Sequence, residues 1–293
     1  MKTTNHEISS YPIPNYIQLY FQLLTSVFPR IAKKQALKIF FRPLNFKIPE
    51  REKAFRSKYR IESFNEMHKE IVAFRVPSSG PKLLFVHGWS GRGSQFHALM
   101  LYLNQKGFDC YSFDAPGHGE NPKQVVDMPT FAQSAMMLQE SFGPFYAGIG
   151  HSLGGMALHY ASYLGLHITA LVQICSPADI EGVVGDFCNT IGGGNRLKAQ
   201  LMQHLEKKYN VDLNSISPLS LCEIHRLPGL IIHDHNDGDV PIDHALRLLP
   251  VWKEAKSHFT VNLGHRRVLR DEETFNVIYQ FIDQSNLSKH FTT

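Results

Sequence analysis

The sequence has 293 residues, of which 43% are hydrophobic and 19% are charged, and its formal net charge is +4. This composition is ordinary for a globular protein, and the length allows one large α/β domain with an insertion. The sequence contains no internal repeats and no low-complexity tracts, which excludes a repeat protein.

The positive charge is concentrated near the N-terminus. Eleven basic residues lie between Arg30 and Arg60 against two acidic ones, Glu50 and Glu52, so this stretch has an excess of nine positive charges. With a total of +4, the rest of the chain carries about −5. We favour a solvated pair of amphipathic helices that covers the main domain. The alternative is a basic surface that meets anionic lipid or nucleic acid.

Two helices are predicted in this N-terminal part. Apolar residues recur at helical spacing from Tyr16 to Phe28 and from Ile31 to Phe40, and Pro43 ends the pattern. We assign residues 1–58 to a basic helical extension, with a loose lead-in over residues 1–14. Apolar stripes beside lysines allow peripheral contact with a membrane, whereas no nucleic-acid partner is expected. The start is a poor signal peptide and the apolar stretches are too short to span a bilayer, so a cytoplasmic location is expected.

From about Ile61 the pattern changes to short apolar strands that alternate with helical segments. The first two strands, near 59–64 and 71–76, fit an antiparallel hairpin. Alternation at this spacing predicts a mostly parallel sheet with helices on both faces and a ligand site at the carboxyl ends of the strands. Further strands are expected at 82–87, 108–113, 145–150 and 168–174, and helices at 94–106, 129–142 and 153–164.

Residues Gly150-His151-Ser152-Leu153-Gly154 form a Gly-x-Ser-x-Gly motif between an apolar run and a helical segment. A serine on a sharp strand-to-helix turn is pushed out of the plane of the sheet, so its hydroxyl is exposed, and small neighbours let the turn pack tightly. Short motifs of this kind also arise by chance, so the surrounding chain decides what this one means.

The surrounding chain supports the motif. His87-Gly88 follows an apolar strand upstream, Asp237 follows an apolar strand downstream, and His265 comes after a final strand. The order Ser, Asp, His, with each residue on a loop after a strand, is the one expected for a hydrolase triad. Together with the loop Asp114-Ala115-Pro116-Gly117-His118-Gly119, these motifs resemble the α/β-hydrolase superfamily over roughly residues 60–285.

The resemblance implies a catalytic triad. Ser152 is the expected nucleophile, His265 the base that takes its proton, and Asp237 the acid that holds the imidazole in the correct tautomer. The sequence has sixteen histidines, and His265 is preferred because it follows the last strand as the family pattern requires. Asp234, at a position where glycine is usual in the family, and Asp239 stay as alternatives for the acid.

The oxyanion hole implied by the resemblance consists of the backbone amides of Trp89 and Leu153. The amide of Leu153 lies at a helix N-terminus, where the helix dipole favours developing negative charge. Trp89 and Phe187 are expected to bind substrate, although the indole of Trp89 could instead pack at the rim. We expect Arg92 to cap the following helix rather than to contact a substrate anion, and the loop that begins at Asp114 to be architectural.

Between Pro177 and Pro228 the alternation of strands and helices stops. In this fold, an insertion between the sixth and seventh strands resembles a cap over the active site. We therefore assign residues 178–221 to a small helical cap, and residues 59–177 with 222–293 to the α/β-hydrolase core.

Two helical segments of the cap, 179–191 and 197–209, flank Gly192-Gly193-Gly194, which fits a hinge or a plain turn equally well. If the cap covers the site, its apolar residues face substrate. The candidates are Val183, Val184, Phe187, Ile191, Leu197 and Leu201.

The function predicted from these residues is hydrolysis of a carboxylic ester through an acyl-enzyme intermediate, with no metal or organic cofactor implied. Serine at position 152 disfavours the relatives of this fold that use an aspartate or cysteine nucleophile. The alternatives are a non-hydrolytic small-molecule receptor on a hydrolase scaffold and a thioesterase or lysophospholipase-type lipid hydrolase. The four cysteines lack metal-like spacing, and the two that sit in apolar strand patterns are expected to be small core residues.

Overall fold

The computed structural model describes residues 13–63, 71–121 and 124–283. Most of the predicted lead-in, residues 1–12, therefore lies outside the described residues. The remaining chain builds an eight-stranded sheet with the order β1-β2-β4-β3-β5-β6-β7-β8. The strands are β1 Arg60–Ser63, β2 Ile71–Val76, β3 Lys82–Val86, β4 Asp109–Phe113, β5 Ala147–His151, β6 Ala170–Ile174, β7 Gly229–Asp234 and β8 Ala255–Thr260.

The sheet is mostly parallel. β1 pairs antiparallel with β2 in a register that sets Arg60 opposite Phe74, and β2 pairs antiparallel with β4. All strand pairs from β4 to β8 are parallel. The carboxyl ends of β3, β5, β6, β7 and β8 consequently meet at one edge, where a ligand site is expected.

Helices cover both faces of the sheet. The α-helices are α1 Asn15–Val27, α2 Pro29–Phe40, α3 Glu50–Tyr59, α4 His97–Gln105, α5 Met128–Phe142, α6 Leu153–Tyr163, α7 Ile180–Thr190, α8 Gly194–Tyr209, α9 Pro218–His225, α10 Asp243–Leu248, α11 Gly264–Arg267 and α12 Glu272–Ile282. The predicted fold class, an α/β-hydrolase fold, is confirmed by this architecture.

Alternate residues of the central strand β3 point to opposite sides of the sheet. Leu83 and Phe85 belong to an apolar cluster with α3, α4 and α12, whereas Leu84 and Val86 belong to a second cluster with α5, α6 and α10. Because both faces are buried, β3 is apolar from Leu83 to Val86 rather than alternating, as expected for a central parallel strand.

The N-terminal helices pack on the insertion between β6 and β7. A third apolar cluster joins Phe21 of α1 and Ala32 and Ala36 of α2 to Val184 of α7 and Leu201 of α8. The predicted helix pair is therefore present, and its inner side is buried against α7 and α8 rather than against the sheet.

The helix α3 is absent from our sequence predictions, which place only a strand near residue 59. Its buried residues include two charged ones, Glu52 and Arg56, so it lacks the apolar stripe that identifies a helix in a sequence. Each forms an ion pair with a residue that is distant in sequence. Arg92 donates two hydrogen bonds to Glu52 at 2.6 and 2.7 Å, and Arg56 pairs with Asp114 at 2.8 Å. These ion pairs fasten α3 to the loops that follow β3 and β4.

The run Gly192-Gly193-Gly194 forms a tight turn between α7 and α8. Gly192 has φ +86°, and a Cβ there would lie 2.5 Å from the carbonyl oxygen of Gln18 in α1. The turn thus requires glycine because the backbone of α1 is packed against it, which favours the plain-turn interpretation over a hinge.

All four cysteines are free and buried, including the two that were expected in the core. Among the residues that the structure describes, no helix is both long and apolar enough to cross a membrane.

Candidate active site

Ser152 lies on a sharp turn between β5 and α6, with φ 53° and ψ −126°. This conformation is unfavourable for a residue with a side chain and costs on the order of 1–3 kcal/mol, which the surrounding packing must supply. Gly154 leaves the room that the turn needs, because a Cβ there would collide with the carbonyl oxygen of Val86. Strain of this kind at a serine is the feature that a nucleophile elbow requires.

His265 and Asp237 are hydrogen-bonded to each other. The Nδ1 atom of His265, in α11, lies 2.7 Å from Oδ2 of Asp237, in the loop after β7. The other carboxylate oxygen of Asp237 accepts hydrogen bonds from the amides of Asp239 at 2.8 Å and Val240 at 2.9 Å. The carboxylate is thereby fixed on one side by its own loop and presents its other oxygen to the imidazole.

These contacts keep Asp237 ionised. Burial by itself would raise the pKa of this carboxyl, but the hydrogen bond and charge of His265, with the amides of Val240 and Asp239, lower the pKa to about 2. An ionised carboxylate at Nδ1 selects the tautomer in which Nε2 is free to accept a proton.

The two alternatives for the acid are engaged elsewhere. Asp234 is fully buried and accepts hydrogen bonds from Thr260 Oγ1 at 2.7 Å and from the amide of Leu263 at 2.9 Å. Asp239 lies 3.7 Å from Arg266. The structure therefore brings Asp237 to His265, while Asp234 holds the loop that carries His265.

His151, the residue before Ser152, makes a contact that our sequence predictions missed. Its Nε2 lies 2.7 Å from the backbone carbonyl oxygen of His265, and the two rings are 4.5 Å apart. Burial lowers the pKa of His151 to about 3, so the ring is neutral and donates its Nε2 proton to that carbonyl. The motif Gly-x-Ser-x-Gly gives no signal for this role, since its second position is variable.

His87 fixes the loop after β3. The amide of Ala115 donates to its Nε2 at 2.9 Å, so its Nδ1 carries the proton and donates to the carbonyl of Gly88 at 2.7 Å. Complete burial holds the pKa of His87 well below its usual value. A Cβ on Gly88 would lie 2.6 Å from Cβ of Ser152, so this loop passes directly beside the serine. The amides of Trp89 and Leu153 therefore lie on the two segments that flank Ser152.

Other residues singled out in the sequence have structural contacts. The ring of Trp89 packs edge-on against His118 with centroids 5.3 Å apart, and Trp89 also lines the cavity described below. Arg92 is buried in its pair with Glu52 and is not available to a substrate anion. Asp114 accepts a hydrogen bond from the amide of Gly93 at 2.8 Å besides its pair with Arg56, in keeping with an architectural loop.

A cavity of about 860 Å³ opens over Ser152. Ser152, His265 and the amide-bearing residues Trp89 and Leu153 all line it. The volume is within the range of small-molecule sites. Its apolar side chains come from α2, α5, α7 and the segment after α8, and they include Phe40, Met128, Val183, Phe187 and Ile216.

The apolar residues predicted to face substrate divide into two groups. Val183 and Phe187 line the cavity, and the ring of Phe187 packs edge-on against Phe40 at 5.1 Å. The prediction is wrong for the other four, because the N-terminal helices cover that side of α7 and α8. Those buried in the third cluster are Val184, Ile191, Leu197 and Leu201.

Among the described residues, one group of metal-ligating side chains lies together. The Sγ of Cys175 and ligand atoms of Asp237 and His265 are within 4.8 Å of one another. Burial and the neighbouring carboxylates hold the pKa of Cys175 well above its usual value, so its sulfur is a protonated thiol rather than the thiolate that binds metals. The group is therefore better explained as the hydrogen-bonded pair Asp237–His265 with a buried thiol beside it.

Comparison with known proteins agrees with this fold. A family model described as the alpha/beta hydrolase family matches residues 83–205. A non-heme chloroperoxidase of Burkholderia pyrrocinia is 34% identical over 94 residues, which cover 30% of this chain and 34% of the relative. A carboxylesterase of Bacillus subtilis is 25% identical over 114 residues, 37% of this chain and 46% of the relative. The chain thus aligns with about a third to a half of the length of these curated relatives.

A solved structure described as a membrane phospholipase A, a novel bacterial virulence factor, superposes with a TM-score of 0.62 at 15% identity. The match covers 92% of this chain and 98% of that structure, and at this identity it shows the fold alone. The chain thus matches the alpha/beta hydrolase family model over residues 83–205 and shares the α/β-hydrolase fold with solved structures.

Proposed function

We propose that the protein is a serine hydrolase that cleaves a carboxylic ester through an acyl-enzyme intermediate. The observation that carries this proposal is the 2.7 Å contact of Asp237 with His265, whose ring lines the same cavity as the strained Ser152. The carboxylesterase name of the Bacillus subtilis relative supports the same reaction class.

In the first half of the reaction, the Oγ of Ser152 attacks the ester carbonyl carbon while Nε2 of His265 takes its proton. The negative charge that forms on the carbonyl oxygen is stabilised by the amides of Trp89 and Leu153. The bond to the leaving oxygen then breaks, and His265 gives its proton to the departing alcohol. Asp237 stays ionised throughout and stabilises the imidazolium.

In the second half, a water molecule attacks the acyl carbon while His265 takes one of its protons. The bond to Ser152 breaks, the proton returns to Oγ, and the carboxylic acid leaves. None of these steps needs a metal or an organic cofactor. The apolar lining from Phe40, Met128 and Phe187 suits a hydrocarbon acyl chain rather than a charged one.

The proposal is tested by reaction with a fluorophosphonate probe and by turnover of p-nitrophenyl esters of graded chain length. We expect the wild-type protein to be labelled and to hydrolyse the esters, and the Ser152→Ala variant to do neither. Ser162→Ala, on the same helix α6, is the matched control and should behave as wild type. Hydrolysis at the wild-type rate by Ser152→Ala would exclude the acyl-enzyme route.

A further inference from the structure

The helix α1 is apolar on two sides. Phe21 is buried and packs, with the partly buried Ile17 and Leu24, in the third cluster. The opposite side carries large apolar side chains that are 45–73% exposed and follow one another at helical spacing. We name this surface the outer face of α1, and it consists of Tyr16, Leu19, Tyr20, Leu23 and Val27.

Single exposed apolar side chains are common on protein surfaces, whereas a contiguous row of them marks a site of interaction with another molecule. α1 itself contains no charged residue. The row continues past its end through Phe28 and Ile31, which are 55% and 48% exposed.

The charges in the segment that contains the outer face are all of one sign. From Ile8 to Pro49 the sequence contains six Lys and Arg residues and no Asp or Glu. Four of the basic side chains are exposed on α2 or directly after it: Arg30, Lys34, Lys38 and Arg42. An apolar helix face bordered by lysine and arginine is the composition of a helix that lies in the interface of an anionic membrane.

The cavity over Ser152 reaches the surface beside the same helices. Ile39, Leu44 and Phe46 line this cavity and are 49%, 61% and 39% exposed. The amide of Leu44 also donates to Ser90 Oγ at 2.9 Å, so this segment is tied to the loop that carries Trp89. Apolar side chains therefore line part of the way from the end of α2 to the serine.

We propose that α1 and α2 dock the protein on an anionic lipid surface and that an ester with a long acyl chain enters the cavity from that surface. Only the second half of this inference rests on the proposed function. A second copy of this chain is a poorer occupant, since a two-fold interface would bring the basic residues of both copies together.

Vesicle co-sedimentation tests the docking. The protein carries Ser152→Ala, so that the lipids stay intact. We expect binding to vesicles of phosphatidylcholine with phosphatidylglycerol and much weaker binding to phosphatidylcholine alone. Leu19→Ser/Leu23→Ser should weaken binding at least about tenfold. Ile224→Ser, on α9 with a similarly exposed side chain, is the matched control and should bind normally.

The charge contribution is tested by Lys34→Glu/Lys38→Glu. Each basic residue near an anionic surface strengthens binding about fivefold, so this double variant should bind roughly 25-fold more weakly or worse. Lys253→Glu, exposed beyond α10, serves as the control. Equal sedimentation of all variants, or a loss of self-association by light scattering without a loss of sedimentation, would overturn the docking proposal.

Catalysis is assayed separately in protein with an intact Ser152. Leu19→Ser/Leu23→Ser should slow hydrolysis of a long-chain ester presented in anionic vesicles while leaving a water-soluble ester unaffected. Binding without hydrolysis of either ester would overturn the proposed function and leave docking supported. Hydrolysis of the soluble ester without vesicle binding would overturn docking and leave the proposed function supported.

Discussion

His151 holds the backbone of His265, with 2.7 Å between its Nε2 and the carbonyl oxygen of that residue. Since His151 precedes Ser152 directly, this hydrogen bond connects the turn at Ser152 to the loop that carries His265. The buried ring has a pKa of about 3, so it adds no positive charge beside the imidazolium that forms on His265 during the proposed reaction.

We predict that His151→Ala lowers kcat by up to about 10²-fold, because a base displaced by about 1 Å transfers the proton poorly. KM should change little, since this side chain positions the base. His151→Gln retains a donor and should recover part of the activity, whereas a purely steric role would not distinguish the two variants. Steady-state kinetics on a p-nitrophenyl ester provide the measurement, and His235→Ala, at an exposed histidine, is the control.

Asp237→Asn is expected to lower kcat/KM by about 10³–10⁴-fold, because an amide at this position favours the wrong imidazole tautomer. Asp239→Asn should have little effect. Asp234→Asn should lower the melting temperature more than the rate, since Asp234 holds the loop through Thr260 and Leu263. Kinetics and thermal melts of the three variants test this assignment, and a larger rate loss for Asp234→Asn than for Asp237→Asn would contradict it.

The buried histidines make the protein sensitive to acid. Burial lowers the pKa of His151 to about 3 and that of His118 to about 4, whereas the unfolded chain takes up these protons near pH 6.5. The stability contributed by each buried, neutral histidine is therefore fully present above pH 6.5. Below that pH the free energy of unfolding falls by about 1.4 kcal/mol per pH unit for each histidine, until the pH reaches its folded pKa.

The stability contributed by Asp237 is lost at a lower pH. Its pKa is lowered to about 2, so its contribution is complete above the unfolded value near 3.8 and disappears as the pH falls toward 2. Urea unfolding between pH 7 and 4.5 therefore isolates the histidines. We expect the free energy of unfolding of His151→Gln to depend less steeply on pH than that of the wild type, by about 1.4 kcal/mol per unit. Identical slopes would show that His151 does not contribute.

Phe187→Ala should change the preference among acyl chain lengths, because its half-buried ring lines the cavity against Phe40. The loss of stability should be smaller than for Leu201→Ala, whose fully buried side chain predicts a loss of about 2–5 kcal/mol. Leu201→Ala should keep the wild-type chain-length profile. Melting temperatures and chain-length profiles of both variants are measured together; an unchanged profile in Phe187→Ala would remove this residue from the substrate site.

The sheet and the loops at its carboxyl edge could be predicted because their signals are local. Apolar strands, glycines and the spacing of Asp237 from the following Val-Pro pair all lie within short stretches of sequence. The helix α3 could not be predicted, because its buried Glu52 and Arg56 are stabilised by partners that lie 40 and 58 residues away in the sequence. The same holds for the role of His151, whose contact lies 114 residues downstream.

The side of α7 that faces the cavity also could not be predicted. Helical spacing puts Val183, Val184 and Phe187 on one broad face. Which of them is free for substrate depends on where α1 and α2 pack, and nothing within α7 encodes that. The structure shows that Val184 is buried in the third cluster, whereas Val183 and Phe187 line the cavity.

The packing of α1 on the turn after α7 has a consequence for biosynthesis. The side-chain amide of Gln18 donates to the carbonyl of Thr190 at 3.2 Å, across 172 residues of chain. A ribosome that adds about 5–20 residues per second needs roughly 10–30 s to make that intervening stretch. Throughout that interval both apolar sides of α1 are without the partner that later buries one of them. The newly made α1 therefore exposes apolar side chains until α7 has been made, and deletion of α1 would uncover part of the third cluster in the finished protein.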